Sequence, residues 1–168
     1  KITGRRIHAL MPTHVFGHPC DLNELQEISE EFNLFLIEDA AEALGSFYHD
    51  NHVGINSPLS VLSFNGNKTV TTGGGGAIIT SNEEFAIKAK HLSTTAKRKH
   101  PWEFNHDEIG YNYRMPNINA ALLIAQSEKL NDFIINKRNL ANKYEAYFKS
   151  TDYNFFKEPK DCKSNYWL

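Results

Sequence analysis

The stretch "IHALMPTHVFGHPCDLNELQEISEEFNLFLIED", residues 7–39, joins two short apolar runs through an amphipathic segment. The run from Ile7 to Met11 is typical of a buried strand, which Pro12 closes. The run "LFLIED" is a second strand candidate, and it ends in the acidic pair Glu38 and Asp39. Two strands are therefore expected on either side of the intervening segment.

The intervening segment predicts a helix. Asp21 is a candidate N-cap, and Asn33 marks the expected end. Apolar residues recur at helical spacing and form one face: Leu22, Leu25, Ile28 and Phe32. Strand, helix and strand in this order build a parallel sheet through right-handed crossovers, so the sequence predicts an α/β fold.

Further elements are predicted downstream. "SVLSF" (residues 60–64) and "GAIIT" (residues 76–80) are strand candidates, and Ser81 with Glu84 has the spacing of a helix-starting capping box. Residues 97–107 are predicted to form a loop. Apolar positions between Pro116 and Phe148 predict one long helix, kinked or straight. The sequence changes character near residue 149, which indicates a domain boundary there.

Composition and charge narrow the class of protein. The chain has 168 residues, 40% of them hydrophobic, and a net charge of -2, which gives no electrostatic reason to expect nucleic acid or an acidic membrane surface as partner. Cys20 and Cys162 lie far apart without metal-ligand spacing, as is typical of free thiols in a reducing cytosol. No apolar run approaches the roughly 18 residues that cross a bilayer. We expect a cytoplasmic protein with a small-molecule partner, and the abrupt ends suggest an interior piece of a longer chain.

A single lysine lies in the glycine-rich stretch "SFNGNKTVTTGGGG", residues 63–76. A phosphate-binding P-loop needs glycine directly before the lysine and a helix after it, but Asn67 precedes Lys68 and a strand candidate follows. The dinucleotide pattern GxGxxG fails because Ile78 stands at the third glycine. A nucleoside-triphosphatase module is therefore set aside.

Lys68 and Asp39 together suggest covalent chemistry. A lysine amine in a partly dry, glycine-lined pocket can form a Schiff base with an aldehyde, whereas on the surface it would only be solvated. Asp39 ends a strand at the edge where parallel sheets bind ligands, although it could also simply cap the following turn. A lysine for the aldehyde and an acid for the ring nitrogen is the arrangement that binds pyridoxal phosphate.

Three motifs carry a family resemblance: "EDAAEALGS", "SFNGNKTVTTGGGGAI" and "EIGYNYRMPNINAAL". In this order and spacing they resemble the pyridoxal-phosphate sugar aminotransferases of the DegT/DnrJ/EryC1/StrS group, over roughly Gly4 to Phe148. The lysine motif together with "FGHPCDL" most resembles the branch that makes 4-amino nucleotide sugars for legionaminic-acid-type surface glycans.

The resemblance implies an architecture. It implies the central part of the large domain of an aspartate aminotransferase-like enzyme (PLP fold type I), with a mainly parallel sheet flanked by helices. Residues 1–148 would be a fragment of this cofactor-binding large domain, and residues 149–168 would begin the C-terminal small domain. It also implies a homodimer whose active sites are shared between subunits.

The resemblance also implies roles for individual residues. Lys68 would bond to the cofactor and move a proton, and Asp39 would partner the ring nitrogen. Ala41 would lie against the ring, Ser63 would donate to the phosphate, and Asn112 would reach the phosphate of the neighbouring subunit.

Glu42 departs from the family pattern, which commonly has glutamine three residues after the aspartate. An ionised Glu42 would disfavour a phenolate beside it, so it is either protonated, turned away or in contact with the sugar. We keep it among the cofactor-binding residues. His14 and His18 have metal-like spacing only on a helix, which Gly17 and Pro19 oppose, so no metal is expected.

The implied activity is transamination of a nucleotide-linked 4-keto sugar by an amino acid donor, glutamate, in surface glycan biosynthesis. The alternative is a truncated domain of the same family that no longer binds cofactor. That alternative follows from the expectation that further phosphate contacts and most of the small domain lie outside these residues.

Overall fold

The computed structural model describes residues 4–168. Within that range, no helix is both long and apolar enough to cross a membrane. Apart from a three-residue 3-10 helix at Val15–Gly17, the elements in chain order are β1 (Ala9–Leu10), α1 (Leu22–Glu31), β2 (Phe35–Asp39), β3 (Phe47–Tyr48), β4 (Asn51–His52), β5 (Leu59–Ser63), β6 (Gly76–Ile79), α2 (Glu83–Ser93), α3 (Asn117–Ser127), α4 (Leu130–Phe148) and β7 (Cys162–Lys163).

The main sheet has the strand order β1-β2-β5-β6. Strands β1, β2 and β5 are parallel, and β6 is antiparallel to β5. Helix α1 packs against β2, and Phe85 of α2 contacts Phe35 of β2 edge to face, with ring centroids 5.6 Å apart. This mostly parallel sheet with flanking helices confirms the predicted α/β class.

The strand-helix-strand unit forms, but its first strand is shorter and less buried than predicted, because β1 is only Ala9–Leu10 and the side chains of Ile7 and Met11 are exposed. The Asp21 carboxylate accepts the backbone N–H of Glu24 at 3.1 Å and so caps α1, whose Leu22 is buried. Asn33, with φ of 51°, follows the end of the helix. One core cluster forms where α1 meets the loops after β2, and it contains Leu22, Ala40, Ala43, Tyr48 and Val53.

Two predicted helix boundaries are wrong. Asn82, not Ser81, caps α2, because its backbone is extended and its side chain accepts the N–H of Phe85 at 3.1 Å. The predicted single helix from Pro116 to Phe148 is two helices, α3 and α4. The backbone leaves helical geometry at Lys129, although no glycine or proline marks the break.

The segment of residues 162–168, here called the returning segment, packs against loops from the other half of the chain. Its strand β7 pairs with β3, in a three-stranded antiparallel sheet ordered β4-β3-β7. Ser164 Oγ donates to the carbonyl of Gly17 at 3.0 Å. The Asn165 side chain donates to the carbonyls of Glu42 at 2.8 Å and Leu44 at 2.9 Å. The returning segment therefore helps to build the edge of the sheet where Asp39 lies.

Candidate active site

Asp39 lies at the carboxyl end of β2, beside Val61 of the parallel strand β5. Its Oδ1 accepts the N–H of Ala41 at 3.1 Å, and Thr13 Oγ1 donates to its Oδ2 at 3.3 Å. The carboxylate thus does support the turn that follows it. It is also half-buried at the edge where parallel sheets bind ligands.

Lys68 lies in the loop that joins β5 to β6. Its backbone N–H donates to the carbonyl of Asn65 at 3.0 Å, which tightens the loop around it. Its side chain is only 13% exposed, so it is not a solvated surface lysine. Its Nζ lies 3.6 Å from Oε1 of Glu42, three residues beyond Asp39. The lysine and the aspartate are therefore at the same edge of the sheet, connected through the 39–42 turn.

Glu42 faces the lysine. Its second oxygen, Oε2, accepts the backbone N–H of Phe16 at 2.8 Å. Both oxygens of Glu42 thus meet donors, one from the lysine loop and one from the loop before α1. In this structure the side chain is directed into the site, and it bridges Lys68 to the 13–18 loop.

The other residues predicted to bind the cofactor lie in different parts of the structure: Ser63, Ala41 and Asn112. Ser63 is the last residue of β5, and its Oγ accepts the N–H of Asn65 at 3.3 Å. Ala41 belongs to the turn after Asp39 and is half-buried. Asn112 is exposed and forms an isolated bridge with Thr94, beyond the end of α2. The role implied for it, contact with a neighbouring subunit, stays a prediction.

A buried carboxylate lies directly before Asp39 in the chain. Glu38 is fully buried and accepts the backbone N–H groups of Gly54 at 2.7 Å, Asn56 at 3.1 Å and Ser57 at 2.9 Å. The His14 ring lies 3.1 Å away. Burial alone would raise the pKa of Glu38, but the His14 and backbone donors outweigh it and hold this pKa below its ordinary value.

His14 and Glu38 together brace the loops that carry the site. The backbone N–H of Cys20 donates to Nδ1 of His14 at 3.0 Å, so Nδ1 is an acceptor and Nε2 is the nitrogen that donates to Glu38. Sequence reasoning had marked both residues without giving them this role. One indication of this role is visible in the sequence. His14 follows the first predicted strand and Glu38 ends the second, and these two strands are expected to be neighbours.

Trp167 is the site residue that sequence reasoning missed. Its ring centroid is 4.1 Å from Nζ of Lys68, and its Nε1–H donates to the carbonyl of Asn67 at 2.7 Å. Its only signal in the sequence was a cluster of aromatic residues in "NYWL", which favours burial but does not say against what.

Two other features lie apart from this site. An open cavity of about 740 Å³ between β6 and α2 has Gly76, Ala86 and Tyr113 in its wall and contains neither Lys68 nor Asp39. His91, Asp107 and Glu108 could offer three metal-ligand atoms within 4.8 Å of one another. There, Lys88 already donates to both oxygens of Glu108 at 2.6 Å, and the three residues form an ion-pair network.

Comparisons with known proteins agree on one family. The model of the DegT/DnrJ/EryC1/StrS aminotransferase family matches residues 1–168. The chain is 42% identical over 168 residues to a GDP-perosamine synthase of Escherichia coli O157:H7, covering 100% of this chain and 45% of that protein. It is 34% identical over 160 residues to a UDP-4-amino-4,6-dideoxy-N-acetyl-beta-L-altrosamine transaminase of Campylobacter jejuni, covering 95% and 43%.

A solved aminotransferase structure is also similar to this chain. Helicobacter pylori PseC, an aminotransferase involved in the biosynthesis of pseudoaminic acid, superimposes with a TM-score of 0.88 at 28% identity. The match covers 96% of this chain and 44% of PseC. The chain thus spans less than half the length of the relatives it matches.

Proposed function

The chain belongs to the DegT/DnrJ/EryC1/StrS aminotransferase family, and from this premise we propose that it is the central part of a pyridoxal-phosphate-dependent nucleotide-sugar aminotransferase. The observation that carries the proposal is the placement of Lys68, whose shielded amine is 3.6 Å from Glu42 in the turn that Asp39 begins. An amine and a carboxylate at one sheet edge are what the cofactor requires.

The donor set fits pyridoxal phosphate. Lys68 offers an amine for the aldehyde, Asp39 a carboxylate for the ring nitrogen and Ser63 a hydroxyl for the phosphate, while Ala41 is small enough to let a flat ring approach the turn. When bound, the cofactor supplies an aldehyde that bonds to amines and a ring that withdraws electrons from the carbon being deprotonated.

Each residue has a distinct task in this proposal. Lys68 Nζ would hold the cofactor through its aldehyde, and as a free amine it would accept and return a proton as a general base and acid. Asp39 keeps a proton on the ring nitrogen through its negative charge. Glu42 holds Lys68 Nζ and the Phe16 N–H, so it orients the lysine rather than taking a catalytic proton. Asn112 reaches the phosphate of a second subunit.

The family and its relatives support the substrates that we propose. Relatives at 42% and 34% identity are named for GDP-linked and UDP-linked amino sugars, which supports a nucleotide-linked sugar as acceptor. We propose a 4-keto sugar, because an amino group is transferred to a carbonyl carbon and one of these relatives is named for a 4-amino sugar. We further propose glutamate as donor and surface glycans as destination, in the legionaminic-acid-type branch.

The assembly and location are proposed on the same basis. Large apolar side chains in the segment 102–118 are exposed, among them Trp102 at 84%, Ile109 at 81% and Ile118 at 85%, which favours a homodimer. We propose a cytoplasmic enzyme with no nucleic-acid or membrane partner. The large domain would end near residue 149, since α4 ends at Phe148.

Borohydride reduction tests the central residue. The purified protein with pyridoxal phosphate should absorb in the visible range, and reduction followed by peptide mapping should place the cofactor's mass on Lys68. Lys68→Ala should lose the band and lower turnover by about 10³-fold or more. Lys160→Ala, a change at a side chain that is 93% exposed, is the matched control and should keep both.

A panel of nucleotide 4-keto sugars with several amino donors tests the substrates. Turnover with a 4-keto sugar and glutamate is the expected result. Cofactor on a different lysine would contradict the assignment of Lys68. A protein that binds no cofactor at all would support the alternative of a noncatalytic domain.

A further inference from the structure

The amine of Lys68 lies between two side chains from distant parts of the chain. Its Nζ is 3.6 Å from Oε1 of Glu42 and 4.1 Å from the centroid of the Trp167 ring. A carboxylate and the face of an indole both attract an ammonium ion, the first through its charge and the second through the quadrupole of its ring. The amine therefore has an attractive partner on two sides.

Trp167 is firmly held in this position. It is 7% exposed. Its Nε1–H donates to the carbonyl of Asn67 at 2.7 Å, and its own carbonyl accepts from Nζ of Lys137 at 3.0 Å. Its backbone N–H donates to the carbonyl of Phe16 at 3.2 Å. The indole is thus oriented by the residue directly before Lys68.

Four residues form a closed ring of pairwise contacts. Lys68 meets Glu42, Glu42 accepts the N–H of Phe16, Phe16 accepts the N–H of Trp167, and the Trp167 ring covers Lys68. Three separate parts of the chain, the 13–18 loop, the 39–42 turn and the returning segment, thereby converge on one amine. Replacing the Trp167 side chain removes the contact between its ring and Lys68, and the ring of contacts is then open.

We propose that Trp167 is a positioning residue that holds the Lys68 ammonium whenever this amine is not bonded to the cofactor. The inference rests on the proposed function. A lysine that carries the cofactor and also moves protons is free during part of each cycle, and its amine must stay within reach of the reacting carbon during that time. The indole restricts where the amine can go and shields it from water.

Acylation of the free lysine tests the inference without enzyme turnover. The full protein, stripped of pyridoxal phosphate, is treated with the N-hydroxysuccinimide ester of acetic acid, and the rate at Lys68 is followed by peptide mapping. Trp167→Leu should raise that rate about three- to tenfold, because the amine loses the attractive ring face and gains access to reagent. Lys160, exposed in every variant, is the internal reference.

Conservative and control variants separate the ring face from simple packing. Trp167→Phe keeps an aromatic face and should stay within about twofold of the wild-type acylation rate. Trp102→Leu removes the other tryptophan, which is 84% exposed, and should change nothing. Glu42→Gln removes the opposing charge while keeping an oxygen for Phe16, so it should also speed acylation of Lys68. Trp167→Met replaces the ring with a flexible apolar side chain and carries the test if the leucine variant does not fold.

The inference is overturned if the acylation rate of Lys68 does not change in Trp167→Leu, or if the phenylalanine variant reacts as fast as the leucine variant. In the active enzyme, Trp167→Leu should lower kcat about three- to tenfold and leave KM for the amino donor within about twofold, with Trp167→Phe restoring most of kcat.

Cofactor found on another lysine would defeat the proposed function. Cofactor on Lys68 with acylation independent of Trp167 would defeat only this inference.

Discussion

Nε2 of His14 lies 3.1 Å from Oε2 of Glu38, and both side chains are completely buried. The pair connects the loop before α1 to the end of β2, the two places that supply Phe16 and Asp39 to the site. Since Glu38 also holds three backbone N–H groups of the 54–57 loop, one carboxylate sets the position of two loops at once.

Glu38→Gln should lower the free energy of unfolding by about 2–4 kcal/mol, because an amide cannot accept at both ends and leaves buried N–H groups without partners. Urea unfolding at pH 7 measures this change. Glu31→Gln, at an exposed position of α1, is the matched control and should shift stability by less than about 0.5 kcal/mol. Equal effects of the two substitutions would contradict the role given to Glu38.

The same carboxylate predicts a pH dependence. The pKa of Glu38 is lower in the folded protein than the ordinary value of 4.5, so the folded state binds its proton less readily than the unfolded state does. Its contribution to stability is therefore complete above about pH 4.5 and is lost as pH falls through the folded pKa. Unfolding midpoints between pH 3 and 7 should fall less steeply with acidity in Glu38→Gln than in the wild type, and parallel curves would contradict this.

Asp39→Asn should separate the structural role of Asp39 from its chemical one. The amide oxygen can still accept the N–H of Ala41, so circular dichroism and the unfolding midpoint should change little. Turnover should fall by about 10²-fold or more, because a neutral amide does not stabilise a protonated ring nitrogen. Asp50→Asn, in an exposed turn with φ of 64°, is the control and should keep full activity. Full activity of Asp39→Asn would remove Asp39 from the cofactor site.

Gly17→Ala should destabilise the protein by about 3 kcal/mol or more. Its φ is +82°, and an added Cβ would lie 1.8 Å from Oδ1 of Asn165, so the substitution combines backbone strain with a clash against the returning segment. Gly73→Ala has nearly the same φ, +79°, with no atom near the added Cβ, and should cost only about 1 kcal/mol. The difference between the two unfolding free energies isolates the clash, and no difference would contradict it.

Arg138→Met should loosen the returning segment. Arg138 holds Glu158 through two hydrogen bonds, at 2.7 Å and 2.9 Å, and donates to the carbonyl of Ser164 at 2.6 Å. We expect a loss of about 1–3 kcal/mol and faster hydrogen exchange in residues 162–168. Arg98→Met, which breaks an exposed pair with Asp107, should leave exchange in that segment unchanged. Unchanged exchange in Arg138→Met would show that other contacts hold the segment.

The parts of the fold that were predicted correctly are those specified by local patterns. Asp21 and the apolar stripe after it specify α1, and short apolar runs specify β2, β5 and β6. The proposed pairing of Lys68 with the Asp39 turn also came from sequence, since a strand end and a glycine-rich loop are both visible locally. The structure places them at one sheet edge, while the roles of the individual site residues stay predictions.

The features that the sequence did not predict correctly share a physical cause. The cap at Asn82, the break at Lys129 and the position of Trp167 all depend on how segments meet in three dimensions, which no local period records. Ser81 and Asn82 are both good cap residues, so propensity could not choose between them. Trp167 and Asn67 are 100 positions apart, and nothing in either neighbourhood identifies the other as its partner.

The bond from Ser164 to Gly17 joins residues 147 positions apart. Contacts of such long sequence separation form late, because the chain between them must be ordered first. During synthesis on the ribosome, the parallel strands could pair well before the residues that surround the lysine amine had emerged. The contact between Trp167 and the Lys68 amine would then form after most of the sheet is already in place.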